Sequence, residues 1–483
     1  FNGSVQSSHQ GSKACGRARD SGLEALHGHR HEMRLNCTLP AGVPLRVERW
    51  PCARAPYRVP LDPAAPFDQT RLEDVMMGRW AHAAASPSTA ACTDERLASS
   101  PERCVVVLAS PFVCRLRIWD RDADERRKLE RNVSAFWNRA KQRYCSGRVR
   151  GQPRTLRCAT LVVHVGFHFM SAFTQLFLST LRAQEGALRS RVFIGAVEAQ
   201  WPTAAQPQMP RVVTLNELLL DRPRPPQAPV LISLPYPTVS FPRGACASED
   251  ERRNAAAAAA AAAPPRTRLV LADWDNIPQG PPAQVKAAQW HARTRALRAP
   301  ARAALNKLRQ RHEAGLYAPP ATGGMSFEQR VRSSQFCIEP AGDSPTRSHF
   351  YAAALLGCVP VIVEVTNKRH ALFGTQGAAY AWRGEQPLAC NDVVVDYTSA
   401  VVVLAGNATG TNGWIAPALR ALNGTYGERA AALQQAAPAF GFADALEVQQ
   451  CNQKGRVVTD AFHIFALLVL RKHSELRLVS ASE

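Results

Sequence analysis

The residues best suited to chemistry lie between Ser333 and Glu364, where the chain reads SSQFCIEPAGDSPTRSHFYAAALLGCVPVIVE. This is the pattern of one strand, loop, helix and second strand. Gly342 permits a tight backbone turn after the first strand. Ser344 is a good N-cap, and Pro345 suits the first helical position, where a missing N–H costs nothing. The amides of Thr346 and Arg347 then point outward from the helix start, with the positive end of the helix dipole behind them. Such a corner holds an anion, above all a phosphate or pyrophosphate. Arg347 adds a fork of donors and Thr346 a hydroxyl. An ordinary β-α-β crossover, in which Gly and Pro serve only turn geometry, fits the same residues; composition alone leaves both readings open.

The surrounding pattern supplies elements to position this corner. Apolar runs predict buried strands at Cys104 to Leu108, Thr160 to Val165, Arg191 to Val197 and Val230 to Leu234. Between them, Arg121 to Arg143 carries Leu129, Val133, Phe136, Trp137 and Ala140 at helical spacing, and Phe173 to Leu181 is also helical. A second series has strands at Arg268 to Ala272, Gln335 to Glu339, Val359 to Glu364 and Val401 to Leu404. Its helices are Val285 to His312, Thr346 to Leu356 and Ala416 to Leu433, with a last one at Asp460 to Arg471. Nine consecutive alanines, Ala255 to Ala263, followed by Pro264-Pro265, separate the two series. The expected organisation is an irregular, disulfide-stapled region 1–100, a first α/β domain 101–242, a low-complexity linker 243–266, a second α/β domain 267–440 and a helical tail 441–483. Strands alternating with helices give parallel sheets, and ligands are expected in the cleft between two such halves.

The stretch resembles the signature of the exostosin-type glycosyltransferases, most of all the plant and algal branch that includes xyloglucan galactosyltransferases. The carrying residues are Phe336-Cys337-Ile338, Pro340, Gly342-Asp343-Ser344, Thr346-Arg347 and Gly357-Cys358-Val359-Pro360-Val361, in order and without a gap. Ser233-Leu234-Pro235-Tyr236-Pro237-Thr238 is similar to the family's I-PYPT element. Phe136-Trp137-Asn138-Arg139 resembles its W-x-R segment, and Gly166-Phe167-His168-Phe169 its GRDHF motif. The resemblance implies an α/β fold of the GT-B type, two Rossmann-like domains facing across a cleft. It further implies an inverting transfer from a nucleotide diphosphate sugar, usually a UDP-sugar, to a polysaccharide or glycoprotein glycan in the Golgi. Gly342, Asp343, Ser344, Thr346, Arg347 and Glu339 would bind the donor, with no metal and no further cofactor required.

The chain departs from the family at three points. Ala352 stands where a helix carboxylate usually meets the ribose hydroxyls. The GRDHF-like motif lacks its Asp, which leaves His168 as candidate base beside the plainer reading of a core histidine. The end of the 268–272 strand carries Asp273-Trp274-Asp275, so Asp273 is a second catalytic candidate; a turn cap or solvated pair is its bland reading. These departures also admit a catalytically weakened relative that binds glycans or assists a catalytic partner.

Bulk composition narrows the class. The net charge of +20 invites nucleic-acid binding, but the chain has only 8 lysines, its arginines are scattered, and no zinc-finger or RNP-type pattern occurs. No nucleic-acid partner is therefore expected; the partners are the nucleotide-sugar and a glycan, and a homo- or hetero-oligomer is allowed. No run approaches about 18 consecutive apolar residues, so membrane attachment is expected only through an N-terminal anchor preceding Phe1. The 13 cysteines lack any CxxC pair. Sequons stand at Asn2, Asn36, Asn132, Asn407 and Asn423. Together these favour a lumenal or secreted setting, and the resemblance implies a type II membrane protein of the Golgi lumen. His27, His29 and His31 read as a polar loop rather than a metal site.

Overall fold

The computed structural model describes residues 42–48, 69–86, 89–108, 123–146, 156–165, 177, 180–181, 183–197, 229–235, 266, 268–271, 317–318, 326–340, 348–365, 397–406, 422, 424–443, 445–454 and 460–482. Among these, the strands are β1 (Leu45–Glu48), β2 (Val105–Leu108), β3 (Cys145–Ser146), β4 (Arg157–Cys158), β5 (Thr160–Val165), β6 (Val192–Val197), β7 (Val230–Leu234), β8 (Arg268–Leu271), β9 (Tyr317–Ala318), β10 (Ser334–Pro340), β11 (Val359–Val365) and β12 (Val402–Gly406). The helices are α1 (Gln69–Ala84), α2 (Asp94–Ser99), α3 (Ala123–Tyr144), α4 (Gly186–Arg189), α5 (Phe327–Arg332), α6 (Ser348–Leu355), α7 (Tyr397–Ala400), α8 (Tyr426–Ala436), α9 (Ala445–Gln453) and α10 (Ala461–Ser482).

The fold is α/β, with two successive five-stranded parallel sheets among the described residues. The first sheet runs β1-β2-β5-β6-β7, with every pairing parallel. Its strands are nearly all apolar because both faces are covered, as parallel sheets require. One face sends Val106, Leu108, Leu161 and Val163 against Val133, Phe136 and Trp137 of α3. The opposite face sends Val105, Val107, Val162 and Phe193 toward Met76, Met77 and Trp80 of α1 and toward α10. Cys145 and Cys158 close the small β3–β4 ladder with a disulfide, and a second disulfide joins Cys92 to Cys104.

Four elements differ from the sequence reading. Residues expected to be irregular contain β1, which pairs with β2, and the core helix α1. The final helix runs to Ser482, beyond Arg471, because its far turns also pack. His473 Nδ1 meets Thr160 Oγ1 at 2.9 Å, and the Arg191 guanidinium donates to the Leu476 carbonyl at 3.4 Å. The 416–433 segment is not one helix over its described part: Gly424 adopts φ 91°, and α8 begins after it at Tyr426.

Asp460 starts α10 by accepting from the His463 amide at 2.9 Å, the geometry of an N-cap. The same carboxylate receives both terminal nitrogens of Arg79 on α1, at 2.6 and 3.1 Å, and the Ala443 amide at 2.8 Å. Asp460 is fully buried and Arg79 nearly so. The C-terminal helix is thereby tied to the first sheet's helical layer. Among the described residues, no helix is long and apolar enough to cross a membrane.

Candidate functional site

The second sheet runs β9-β8-β10-β11-β12, again all parallel. Counted in chain order within this unit, that is 2-1-3-4-5. The chain leaves β8 toward one edge and returns to β10 on the other side, so the direction of winding reverses between β8 and β10. In open α/β sheets the crevice outside the C-terminal ends of the two strands at such a reversal is where ligands bind. Among the described residues, the first sheet runs in the order 1-2-3-4-5 of its own strands, without such a reversal.

Both sequence candidates in this unit flank the reversal. Asp273 follows the end of β8 by two residues. The segment 341–347 joins the end of β10 to the start of α6. Gly342, Asp343, Ser344, Thr346, Arg347 and Asp273 lie outside the described residues, as does His168, three positions after β5. Glu339 is described: it is the penultimate residue of β10, opposite Ile362 of β11, and only 5% exposed. A buried carboxyl group at a strand's C-terminal end beside the reversal puts a polar side chain where a polar ligand is expected.

The crossover that carries the 341–347 segment is held at its other end by several independent contacts. Ser326 begins α5 with a capping box, its hydroxyl accepting from the Gln329 amide while the Gln329 side chain takes the Ser326 amide. That fixes the approach to β10. α6 ends in a Schellman motif: the Gly357 amide donates to Ala354 O and the Cys358 amide to Ala353 O at 2.9 Å. Gly357 sits at φ 77°, where a glycine avoids the Cβ clash. Cys358 then forms a disulfide with Cys337 of β10, which closes the strand–helix–strand unit covalently. Arg266, just ahead of β8, donates to the carbonyls of Val331 (3.2 Å), Ser334 and Leu356 (3.0 Å). One guanidinium therefore satisfies the ends of α5 and α6 together. Burial lowers its pKa, against the opposing pull of Tyr426, whose ring lies beneath it.

Ala352 is buried on α6, next to Tyr351 and Ala353, which face hydrophobic clusters. Trp137 of the W-x-R-like segment is core: it is wholly buried and its indole N–H donates to Phe177 O at 3.3 Å. Asn138 and Arg139 of that segment are exposed. Of the sequons, Asn132 is exposed on α3, while Asn2, Asn36, Asn407 and Asn423 lie outside the described residues. His27, His29 and His31 also lie outside them. Among the described residues no group of three His, Cys, Asp or Glu side chains could hold a metal ion.

Sequence reasoning missed His164 of β5. It is buried, accepts the Trp80 indole N–H at 2.9 Å, and packs 5.1 Å from the Phe465 ring. Nothing in the run Val162-Val163-His164-Val165 signals a partner 84 positions away in sequence.

Comparison with known proteins falls on the same unit. Residues 224–419 match the exostosin GT47 domain, a span that contains β7 and every strand of the second sheet. A curated protein described as xyloglucan-specific galacturonosyltransferase 1, from Arabidopsis thaliana, is 52% identical over 39 residues, which is 8% of this chain and 6% of that protein. The chain is also similar to the Arabidopsis thaliana UGT89C1 structure with quercetin, at 11% identity, covering 80% of this chain and 76% of that one, with TM-score 0.27. A second solved structure, a GtfA/B complex, gives 10% identity, 65% and 58% coverage and TM-score 0.26. The matched span 224–419 contains the β8/β10 reversal and, in sequence, the segments that follow those two strands.

Proposed function

We propose that this protein is an inverting glycosyltransferase that takes a sugar from a nucleotide diphosphate donor, a UDP-sugar, and passes it to a polysaccharide or glycoprotein glycan. The observation that carries the reading is the winding reversal between β8 and β10 inside an exostosin GT47 domain. By chain connectivity, the anion-binding sequence 342–347 leaves one strand of that reversal and Asp273 follows the other. The relative from Arabidopsis, by its description, transfers a uronic acid to xyloglucan; the proposal for this chain borrows only the class of donor and acceptor.

In the proposed reaction an acceptor hydroxyl attacks the anomeric carbon from the face opposite the diphosphate. The new bond joins acceptor oxygen to that carbon. The bond to the phosphate oxygen breaks, and its electron pair leaves on the diphosphate. The acceptor proton passes to a base, for which His168 and Asp273 are the candidates. The amides at the start of the α6 region and Arg347 take up the charge developing on the leaving group. Losing one such donor commonly costs on the order of 3 kcal/mol in the barrier. Glu339 at the end of β10 and Asp343, four residues later in sequence, would orient the sugar or ribose hydroxyls. The acceptor side is assigned to the first unit. The disulfides Cys92–Cys104, Cys145–Cys158 and Cys337–Cys358 support an oxidising secretory compartment, with the Golgi lumen as its place.

The test is thermal unfolding in rising UDP. A ligand that binds only the native state raises Tm progressively with concentration. The wild-type protein is expected to shift and Arg347→Ala to shift far less, at equal starting stability. A wild-type Tm that stays fixed at millimolar UDP would sink the reading.

A further inference from the structure

One of the five sequons lies within the described residues: Asn132-Val133-Ser134, in the interior of α3. Val133, Phe136, Trp137, Ala140 and Tyr144 form the stripe of α3 that is buried on the first sheet. Successive residues of a helix are about 100° apart, so Asn132 and Ser134 are separated by about 200° and stand on opposite flanks of that stripe. Asn132 is exposed and Ser134 half-buried. Ala135, nearly one turn on from Asn132, is exposed and offers only a methyl group. A large group on the Asn132 amide can therefore leave toward solvent without displacing a core side chain.

We propose that Asn132 carries an N-linked glycan, and that the glycan is attached before α3 forms. The proposal rests on the secretory compartment of the reading above, where a chain meets a lipid-linked oligosaccharide diphosphate and the transferase that uses it. In that step Nδ2 of Asn132 attacks the anomeric carbon of the donor. A C–N bond forms, the bond from the same carbon to the phosphate oxygen breaks, and its electron pair leaves on the lipid diphosphate. One proton of the amide passes to a base of the transferase.

Helix geometry sets the order of events. A sequon acts through both of its ends, the asparagine amide that takes the sugar and the hydroxyl two residues later. One transferase site must meet both, so the two side chains have to face the same way. In an extended segment residues i and i+2 do so; in a helix they do not. α3 ends at Tyr144, and the next residue, Cys145, is bonded to Cys158. Once that bond and the packing of Val133 and Phe136 are in place, the Ser134 hydroxyl is turned away from Asn132. Asparagine is also a weak helix former, so an exposed Asn132 does nothing for α3 that alanine would not do better.

The experiment expresses the full chain behind a signal peptide in a eukaryotic secretory host. The peptide containing Asn132 is then weighed before and after treatment with peptide N-glycosidase. Most molecules with their disulfides formed are expected to carry sugar at Asn132. Ser134→Ala is expected to abolish it and Ser134→Thr to keep it. Asn132→Gln is expected to lose it while the UDP-induced Tm shift stays as in the wild type. A second arm makes the chain without glycan, disulfides formed, in an oxidising bacterial compartment, and offers it an oligosaccharyltransferase with its lipid-linked donor. The folded chain is expected to accept at Asn132 about tenfold less than the same chain reduced and alkylated, because α3 must open first. Bare Asn132 on a secreted, disulfide-bonded chain overturns the proposal. Equal acceptance by folded and alkylated chains does so too, as does sugar that persists in Ser134→Ala. A chain that responds to UDP only with its cysteines kept reduced overturns the secretory compartment and the proposal with it. A missing UDP response in a chain glycosylated at Asn132 supports the proposal and counts against the donor reading alone.

Discussion

The indole N–H of Trp80 donates to Nε2 of His164 over 2.9 Å, which leaves the single proton of the neutral imidazole on Nδ1. Among the described residues Nδ1 has no hydrogen-bond partner, and the ring is enclosed. Adding a second proton there would bury a charge beside Phe465, so burial pushes the His164 pKa down to about 3. The unfolded chain instead takes that proton near the ordinary value of about 6.5. Below pH 6.5 the unfolded state therefore binds more protons than the native state. This histidine's contribution to stability is whole above that pH and is lost as pH falls toward 3, up to roughly 4–5 kcal/mol across the full window. Urea unfolding at several pH values between 4 and 7 should show it. His164→Leu should lessen the pH slope by up to about 1.4 kcal/mol per pH unit. An unchanged slope in that variant would refute the assignment.

Arg79 and Asp460 make a two-pronged ion pair out of contact with water, with the Ala443 carbonyl and amide completing the network. Removing one partner leaves a buried charge without compensation, which costs about 3–5 kcal/mol. Arg79→Ala and Asp460→Ala should each destabilise on that scale. The double variant should cost clearly less than the two together, since neither charge is then stranded. Asp460→Ala should also lose the cap of α10 and so be the worse of the two. Additive losses in chemical denaturation would show that the pair is not coupled.

Much of this architecture was readable in advance, and what escaped has a physical cause. Val230 to Leu234, interrupted only by Ser233, and Val359 to Val363 are apolar runs, which a sheet covered on both faces demands. α3 announced itself by Val133, Phe136, Trp137 and Ala140 at helical spacing. β1 has only Leu45-Arg46-Val47-Glu48, too short to stand out, and gains its stability by pairing with β2. The last turns of α10 are polar enough to look like an exit, yet His473 is buried against Thr160. At the candidate site, the corner sequence Gly342 to Arg347 was legible because turn, cap and anion-binding chemistry coincide within six residues. The reversal between β8 and β10 was not, since strand order is decided by pairings among residues far apart in sequence.

Gly357 should tolerate no side chain. Its φ of 77° costs an L-residue roughly 1–2 kcal/mol. A Cβ there would also stand 2.8 Å from Arg266 Nη2, the nitrogen that donates to Leu356. Gly357→Ala is therefore expected to destabilise by about 2–3 kcal/mol, strain and displaced guanidinium together. Arg266→Lys in the wild-type background separates the parts, because it frees the space but loses the fork. If Gly357→Ala unfolds at the wild-type denaturant midpoint, the Schellman end of α6 is not as described.

The disulfide Cys337–Cys358 and the residue Arg347 belong to one crossover but should fail in opposite ways. The bond closes a loop of 21 residues, and a link of that length restricts the unfolded chain by about 3 kcal/mol. Both sulfurs are buried among Leu271, Val331 and Ala353. Cys337→Ala with Cys358→Ala should thus lower stability by about 3 kcal/mol while leaving the folded fraction able to respond to UDP. Arg347→Ala should do the reverse, with an unchanged denaturant midpoint and a weakened UDP response. The contrast follows from where each group sits. Cys337 lies in the middle of β10 and Cys358 just before β11, whereas Arg347 follows the last residue of β10 by seven positions in sequence. A cysteine variant that kept its stability but lost the UDP response would mean that the bond acts on the anion-binding corner and not on the unfolded chain.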